Sequence, residues 1–173
     1  MTQLKPVTTG GLLKDVNDNF NALSTVGSFA GLHQRRTAVA VFEVDETLDG
    51  GLAADDYELD VVLPANAIIV GGVVDVVKTF TSENDTATIA ISLVEANDIV
   101  AAKAINATGD VWDAGLQAII PKANTPESTG IKLAADTPVT VTVGVEALTA
   151  GKFVLYLDYY EGIETVVPET PGD

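Results

Sequence analysis

The sequence contains no cysteine and a single histidine, His33, among its 173 residues. Without cysteine, the chain can form neither disulfides nor thiolate zinc sites, and it has no cysteine nucleophile. One histidine cannot supply the three imidazoles of a three-histidine catalytic zinc centre within one chain. Aromatic residues make up only 6% of the chain, so aliphatic side chains must build most of the core.

Long apolar runs are also missing. No stretch approaches the roughly 18 residues that a membrane-spanning helix needs. The longest candidate, residues 67–74, is interrupted by Gly71 and Gly72. The first residues, MTQLKPVTTGG, lack the basic and then apolar pattern of an export signal peptide. We therefore expect a soluble protein without a membrane partner.

The charge of −16 is unevenly distributed along the chain. Residues 1–36 contain four basic and two acidic residues, for a net +2, whereas the remainder contains 5 basic and 23 acidic residues, for a net −18. A body this acidic repels phosphate backbones, so we expect no direct nucleic-acid binding. The positive segment is either a chance excess in a short stretch or a docking segment for an acidic partner surface.

From Thr37 onward, apolar and polar residues alternate with the period of a β-strand. The alternation is clear in residues 57–63, 86–94, 139–145 and 153–160. The last two of these segments, separated by residues 147–151, are predicted to form a hairpin. About eight short strands separated by turns favour an all-β fold, a jelly-roll-like β-sandwich.

The N-terminal segment has a different pattern. Residues 11–24 have apolar side chains at helical spacing and predict a short amphipathic helix, and residues 25–36 are typical of a linker. A helix this short is marginal alone, so we expect it to pack on a neighbour. The predicted organisation is an arm at 1–36, a sandwich domain at 37–162 and a flexible C-terminal tail at 163–173.

Several segments together resemble a known class of protein. An asparagine-rich arm, VNDNFNAL, precedes a body containing LPANAIIVGGVVDV, TATIAISL and VTVTVGVEALTAGKFVLYLDYYEG. This combination is similar to the small β-sandwich structural proteins of tailed bacteriophages, over roughly residues 37–162. Several members are capsid decoration or cement proteins, and others are head fibres or small tail components.

The resemblance implies a non-enzymatic role in the virion. Such a protein would be a jelly roll, usually trimeric, on the outer capsid surface, where it would brace the shell made by the major capsid protein. The alternative is a head-fibre, tail or baseplate component that binds the host surface. From charge and periodicity, we predict the residues that contact the capsid or a second subunit to be Leu12, Leu13, Val16, Phe20, Arg35 and Arg36.

No residue cluster predicts catalysis, a cofactor or a metal. The acidic residues of 45–56 and 83–85 could hold calcium, but they lack the ligand spacing of a calcium loop, and DVNDNF has Phe20 where a glycine is required. Paired carboxylates can hydrolyse glycosides, yet 25 acidic residues produce pairs by chance. His33 is expected to be a surface or interface residue. Trp112 is either an interface anchor or a side chain that packs over an open end of the sandwich.

Overall fold

The computed structural model describes residues 35–106, 111–122 and 130–161. All of them belong to the unit Arg35–Asp173. The predicted helix at 11–24 and the predicted tail at 163–173 lie outside the described residues. They remain predictions, as do the domain boundaries.

The described residues form nine β-strands. No helix long and apolar enough to cross a membrane occurs in these ranges. The strands are β1 (Arg35–Glu43), β2 (Asp56–Leu63), β3 (Ile68–Ser82), β4 (Thr88–Ser92), β5 (Val100–Ala104), β6 (Gly115–Ile119), β7 (Ile131–Lys132), β8 (Thr137–Gly144) and β9 (Leu148–Tyr160).

The strands form two antiparallel sheets. The five-stranded sheet has the order β1-β9-β3-β6, with β7 also paired to β3, and the four-stranded sheet has the order β2-β8-β4-β5. If the two-residue β7 is set aside, the first strand pairs with the last and the second with the next to last. The remaining pairs, β3 with β6 and β4 with β5, complete the rolled-up antiparallel ladder of a jelly roll. The predicted fold class is therefore confirmed.

The core lies between the sheets and follows the predicted alternation. Ile89 and Ile91 of β4, and Val139 and Val141 of β8, are all fully buried. Across from them, β9 buries every second residue from Phe153 to Leu157. Strand alternation thus places one aliphatic face of each sheet against the other.

An aromatic cluster closes one end of this core. Trp112 is only 1% exposed, and its ring lies edge-on to Phe80 with centroids 6.0 Å apart. Phe80 also stacks on Phe42, and Phe153 lies 6.1 Å from Trp112. Trp112 therefore packs inside the sandwich and is not exposed as an interface anchor.

The predicted hairpin between the last two strands is wrong. β8 lies in the four-stranded sheet and β9 in the five-stranded sheet, so residues 145–147 cross from one sheet to the other. A short connection indicates only that two strands are near each other. Here β8 pairs with β2 and β4, and β9 pairs with β1 and β3. Val145, predicted to continue the buried face, is 76% exposed because the chain turns out of β8 there with φ 70°.

Four further segments differ from the sequence interpretation. The sequence predicts that Gly71-Gly72 allows a kink between two strand segments within residues 67–80, whereas β3 is one continuous strand whose register with β9 shifts between Ile69 and Gly71 and again after Val76. The sequence of 108–117 predicts a loop, whereas β6 begins within that range at Gly115. The sequence of 96–107 fits either a helix or a strand, and this range contains β5. β1 begins at Arg35, two residues before the predicted body.

β5 follows a turn that one carboxylate organises. The buried Asp98 accepts hydrogen bonds from the backbone N–H groups of Leu93, Val94 and Glu95, at 2.8–3.0 Å. These bonds pair the backbone N–H groups that follow β4 and hold the chain in a turn. The turn reverses the chain direction, so that β5 can pair antiparallel with β4.

Gly151 allows β9 to pass beside the aromatic cluster. Its φ is +138°, and a Cβ placed on it would lie 2.1 Å from Cδ1 of Phe80. Val44 also donates its backbone N–H to the Gly151 carbonyl at 2.9 Å, which fixes this part of the chain. A side chain at position 151 would therefore collide with the ring of Phe80, and the backbone there is fixed too firmly to move away.

We predict that Gly151→Ala lowers the free energy of unfolding by about 2–4 kcal/mol, because it adds backbone strain to overpacking. Gly71→Ala is the control, since a Cβ at Gly71 meets nothing within 4 Å. That variant should be neutral or stabilise by up to about 1 kcal/mol. Urea unfolding of both proteins measures the difference, and equal effects would contradict the packing account.

Candidate docking surface

The outer face of the five-stranded sheet carries a band of apolar side chains. On β1, the buried residues Ala40 and Phe42 alternate with outward-facing Val39 and Val41. In register, Val39 lies opposite Tyr156 of β9, and Tyr156 lies opposite Val73 of β3. A row of apolar side chains therefore crosses three strands, and Ala118 of β6 extends it to a fourth.

A second row runs beside the first. Val41 lies opposite Val154, Val154 opposite Asp75, and Asp75 opposite Leu116. Only Asp75 interrupts its apolar character. We call these two rows the apolar band; its members are Val39, Val41, Val73, Leu116, Ala118, Val154 and Tyr156.

The band is accessible to solvent. Val39 is 47% exposed, Tyr156 38% and Leu116 70%. Single exposed apolar residues are common on protein surfaces, but neighbouring ones on a continuous face are typical of interaction sites. The geometry makes this face the strongest docking candidate among the described residues.

Ion pairs lie on both sides of the band. Toward the end of β1, Lys152 Nζ lies 2.7 Å from Glu43 Oε2, and Lys78 pairs with Glu46. Toward its start, Asp158 pairs with Arg35.

Asp158 is held in its charged form. It accepts a 2.6 Å hydrogen bond from the Thr37 hydroxyl. That hydrogen bond, with a smaller effect of Arg35, keeps the pKa of the Asp158 carboxyl below its usual range.

The net charge of this sheet differs from that of the protein. Its strands carry five basic and three acidic residues, a net +2, whereas the described residues together carry 7 basic and 18 acidic residues, a net −11. The strands of the four-stranded sheet contain Asp56, Glu58, Asp60 and Lys103, a net −2. The five-stranded sheet is therefore the surface least repelled by an acidic partner.

The other outer face is polar. Thr142 of β8 donates a 2.6 Å hydrogen bond to Asp56 of β2, and Glu58 lies opposite Thr140. On β2 and β8, Thr and acidic residues thus occupy most outward positions, with Val62 of β2, 58% exposed, as an apolar exception. Water solvates such a face well. The outer face of the four-stranded sheet therefore suits exposure to solvent, whereas the apolar band suits contact with another protein surface.

The sandwich is also polarised along its strands. The loops 44–55, 83–87 and 145–147, with the described residues between β5 and β6, meet at one end. Within their described residues these loops carry eight acidic residues and no lysine or arginine. We call this the acidic end. Its acidic residues are Asp45, Glu46, Asp49, Asp55, Glu83, Asp85, Asp113 and Glu146.

The opposite end holds both connections to the rest of the chain. Arg35 lies opposite Tyr160 in the β1–β9 ladder, so β1 starts where β9 finishes. We call this the Arg35 end. The described loops there carry three acidic residues and Lys122, and Arg35, Arg36 and Lys132 lie on the adjoining strand ends. With Asp158 and Glu161, which pair with the two arginines, the net charge here is −1, whereas at the acidic end Lys78 and Lys152 of the adjoining strands offset only a small part of the negative charge.

Glu146 organises the acidic end. Its carboxylate accepts hydrogen bonds from the Ser82 hydroxyl at 2.6 Å, from the Asn84 side-chain amide at 2.6 Å and from the Thr86 hydroxyl at 3.0 Å. The backbone N–H groups of Asn84 and Thr86 donate to it as well. The bonds, that from Ser82 foremost, lower the pKa of Glu146 to about 2.

The residue before Glu146 is strained. Val145 has φ 70°, and the Glu146 N–H donates to the Gly144 carbonyl at 2.8 Å, which closes a tight three-residue γ-turn. A β-branched residue with positive φ is disfavoured. The hydrogen bonds of Glu146 hold this turn in place.

We predict that Glu146→Gln destabilises the protein at neutral pH and that the difference from wild type shrinks as the pH falls. The carboxyl group titrates near 4.5 in the unfolded chain and near 2 in the folded chain. Its stabilisation is therefore complete above pH 4.5 and is lost as the pH falls through 2.

Denaturant unfolding of both proteins from pH 7 to pH 2 measures this convergence. Glu83→Gln removes the same charge from the neighbouring turn but none of these hydrogen bonds, and it should change stability little. A wild-type-to-Glu146→Gln difference that stays constant down to pH 2 would contradict the role given to the carboxylate.

The other acidic residues at this end do not form a cation site within the described part of the chain. Asp45 accepts hydrogen bonds from the hydroxyl and backbone N–H of Thr47, and these lower its pKa. Among the residues that the structure describes, no group of three or more His, Cys, Asp or Glu side chains could hold a metal ion.

The predicted docking residues fall into two groups. Leu12, Leu13, Val16 and Phe20 lie outside the described residues. Arg35 and Arg36 belong to β1, not to a linker; Arg35 pairs with Asp158 and Arg36 with Glu161 at 2.7 Å. Without these two arginines, residues 1–34 contain two lysines and two aspartates and carry no net charge. The positive charge assigned to the arm therefore belongs to the sheet.

Sequence reasoning missed the apolar band. The available signal was β1 itself, AVAVF, which is apolar on both faces although an edge strand of a sandwich normally alternates.

Comparison with known proteins identifies the fold. No protein-family model and no curated protein sequence matches the chain. Among solved structures, a chain in the acidic stable capsid of Helicobacter pylori bacteriophage KHP30 matches with 17% identity and a TM-score of 0.52, over 75% of this chain and 90% of that one. A chain of the cyanophage Pam1 capsid matches with 16% identity and a TM-score of 0.52, over 75% and 87% of the two chains.

A third match, in the capsid of Ralstonia phage GP4, has 19% identity and a TM-score of 0.51, over 76% and 86% of the chains. The fold is that of phage capsid chains. The predicted resemblance to phage structural proteins is thus confirmed at the level of fold. Because the match spans 86–90% of each of those chains, the shared sandwich accounts for nearly all of them.

Proposed function

We propose that this chain is a structural protein of a bacteriophage virion, a capsid decoration or cement protein. It binds the outer surface of the shell formed by the major capsid protein and stabilises that shell without catalysis. The observation that carries the proposal is the fold: chains that consist almost entirely of this sandwich are found in three phage capsids.

The apolar band supports a docking role for the five-stranded sheet. Four strands about 4.8 Å apart and two rows of side chains give the band an area on the order of 300 Å². A stable interface buries about 800 Å² on each partner, so the band of one copy does not suffice. A decoration protein meets this requirement through additional contacts and through repetition by the symmetry of the shell.

The N-terminal arm is the second proposed contact. Its apolar residues Leu12, Leu13, Val16 and Phe20 would add buried area to that of the band. The arm joins the sandwich at the Arg35 end, where positive and negative charges nearly balance. With the five-stranded sheet against the shell, the strands lie along the shell surface, so the acidic end lies at the side of the contact and not within it.

We predict that Tyr156→Lys weakens binding to shells that lack the decoration protein by at least about tenfold, because the ammonium group must be desolvated at the centre of the band. Thr140→Lys introduces the same charge on the opposite outer face and should bind like wild type. Co-sedimentation with undecorated shells measures both affinities, after circular dichroism has verified that each variant is folded. Equal affinities of the two variants would exclude the band as the docking surface.

Deletion of residues 1–34 tests the arm and leaves β1 intact. We expect the truncated chain to bind undecorated shells more weakly than the full chain, since it loses the apolar contacts of the arm. Undiminished binding would contradict the arm as an anchor, whatever the Tyr156→Lys result.

Copy number distinguishes decoration from the alternative role. Decoration predicts on the order of hundreds of copies per particle, because closed symmetry repeats each contact. A few to a few tens of copies would instead indicate the head-fibre, tail or baseplate component that binds the host surface. The trimer expected from the resemblance remains a prediction that the molecular mass of the isolated protein tests.

A further inference from the structure

The four lateral edges of the two sheets are not equally protected. Exposed strand edges pair readily with other strands, and proteins normally protect them with charge, bulges or short length. β2 carries Asp56, Glu58 and Asp60 and has an irregular register. β5 and β6 are five residues long; the register of β5 is also irregular, and Pro121 follows β6.

β1 is less protected, because its charged residues lie only at its two ends, Arg35 and Arg36 at one and Glu43 at the other, and its centre is apolar. It is nine residues long, contains no proline and pairs with β9 residue by residue from Arg35 to Glu43 without a bulge. It ends the order of the five-stranded sheet, so within the described residues nothing pairs with its other side. Alternate residues of an antiparallel strand direct their N–H and C=O groups away from the existing partner. β1 is therefore a regular, bulge-free edge that can accept another strand.

The sequence of β1, RRTAVAVFE, is complementary to itself in one orientation. When the strand is laid antiparallel to a copy of itself with Val39 opposite Val39, Arg35 of each copy lies opposite Glu43 of the other. On the same outward face, Thr37 then lies opposite Val41. Opposite charges directly across a sheet stabilise the pair, and β-branched pairs pack well. A parallel arrangement would instead place the two arginines of one copy beside those of the other.

We propose that β1 is a contact between two copies of this chain: it pairs antiparallel with β1 of the second copy, across a two-fold axis that passes between the two Val39 residues. The contact joins the two five-stranded sheets into one continuous sheet. Each copy presents the same surface to the other, as a two-fold interface requires.

The distribution of charge favours this orientation. β1 runs from the Arg35 end to the acidic end of the sandwich, so antiparallel pairing places the acidic end of each copy beside the Arg35 end of the other. The eight acidic loop residues of one copy are then separated from the eight of the other copy, on opposite sides of the axis. Any arrangement with parallel β1 strands would bring them together at a cost that grows at low salt.

The pairing also extends the apolar band. Residues directly opposite in an antiparallel pair project from the same face of a sheet, so the bands of both copies lie on one side. The combined band covers on the order of 600 Å², twice the area of one copy. If the proposed docking function holds, the paired form therefore offers a larger surface to the shell. The pairing itself does not rest on that function, because it is measured with the isolated protein.

Substitutions at position 39 test the axis directly, because Val39 of one copy lies opposite Val39 of the other copy. Val39→Lys and Val39→Glu should each abolish the dimer through like charges across the axis, and an equimolar mixture of the two variants should restore it as a mixed dimer. Leu116→Lys is the matched control, because it places the same charge on the same outer face at the opposite edge of the sheet, and it should leave the dimer intact. Native mass spectrometry and sedimentation equilibrium, at protein concentrations from about 1 μM to 1 mM, measure the species.

The outcomes separate the alternatives. A wild-type dimer that both variants abolish and the mixture restores supports the proposal. A wild-type monomer throughout the concentration range, a trimer that persists in Val39→Lys, or a dimer that the variants leave intact overturns it. Far-UV circular dichroism and thermal melts establish that the variants are folded, as expected for a side chain that is 47% exposed.

Hydrogen exchange of the wild-type protein gives a second test without any substitution. In the paired form, the alternate β1 amides that point away from β9 should become protected as the concentration rises. Protection that is absent, or that is already complete in a monomer, overturns the proposal, because the second case means that another segment of the same chain covers the edge. Shell binding does not enter either test, so failure of the docking function leaves the pairing result interpretable.

Discussion

The antiparallel ladder that joins β9 to both β1 and β3 holds the sandwich together. β9 lies in the centre of the five-stranded sheet, and its inward side chains, Phe153, Leu155 and Leu157, are buried against the opposite sheet. Removal of those contacts would expose the interior along the full length of the domain. The same ladder fixes Arg35 opposite Tyr160 and therefore brings both chain connections to one end. It also places Tyr156 in the middle of the apolar band.

The two outer faces of the sandwich follow from this arrangement. An aliphatic core needs only one face of each sheet, and water can solvate the other. The four-stranded sheet uses Thr and acidic residues for its solvated face, whereas the five-stranded sheet keeps valines and a tyrosine there. The exposed apolar residues do not stabilise the described fold by burial. The docking role proposed for this sheet accounts for them, because it gives these side chains a partner surface against which they are buried.

Electrostatic repulsion limits which contacts an acidic protein can make. Over the described residues the net charge is −11, yet the strands of the five-stranded sheet carry +2. Negative charge is concentrated in the loops at one end, where Glu146 stabilises the turn beside it through several hydrogen bonds. The sheet face and the Arg35 end are left as the surfaces on which a partner or a second copy can approach without strong repulsion.

The sequence by itself determined the fold class and the inward residues of the strands. Alternation is a property of neighbours in the chain, so residues 57–63, 89–93 and 139–143 revealed their buried face directly. Only the tertiary structure decided that β8 and β9 belong to different sheets, that Arg35 and Arg36 extend β1, and that Val39, Tyr156, Val73 and Ala118 form one row. These four residues come from four strands far apart in sequence, and their adjacency depends on strand order and register. Both are set by packing across the whole domain, since each strand must bury one face while its edges find partners, and no local pattern encodes that outcome.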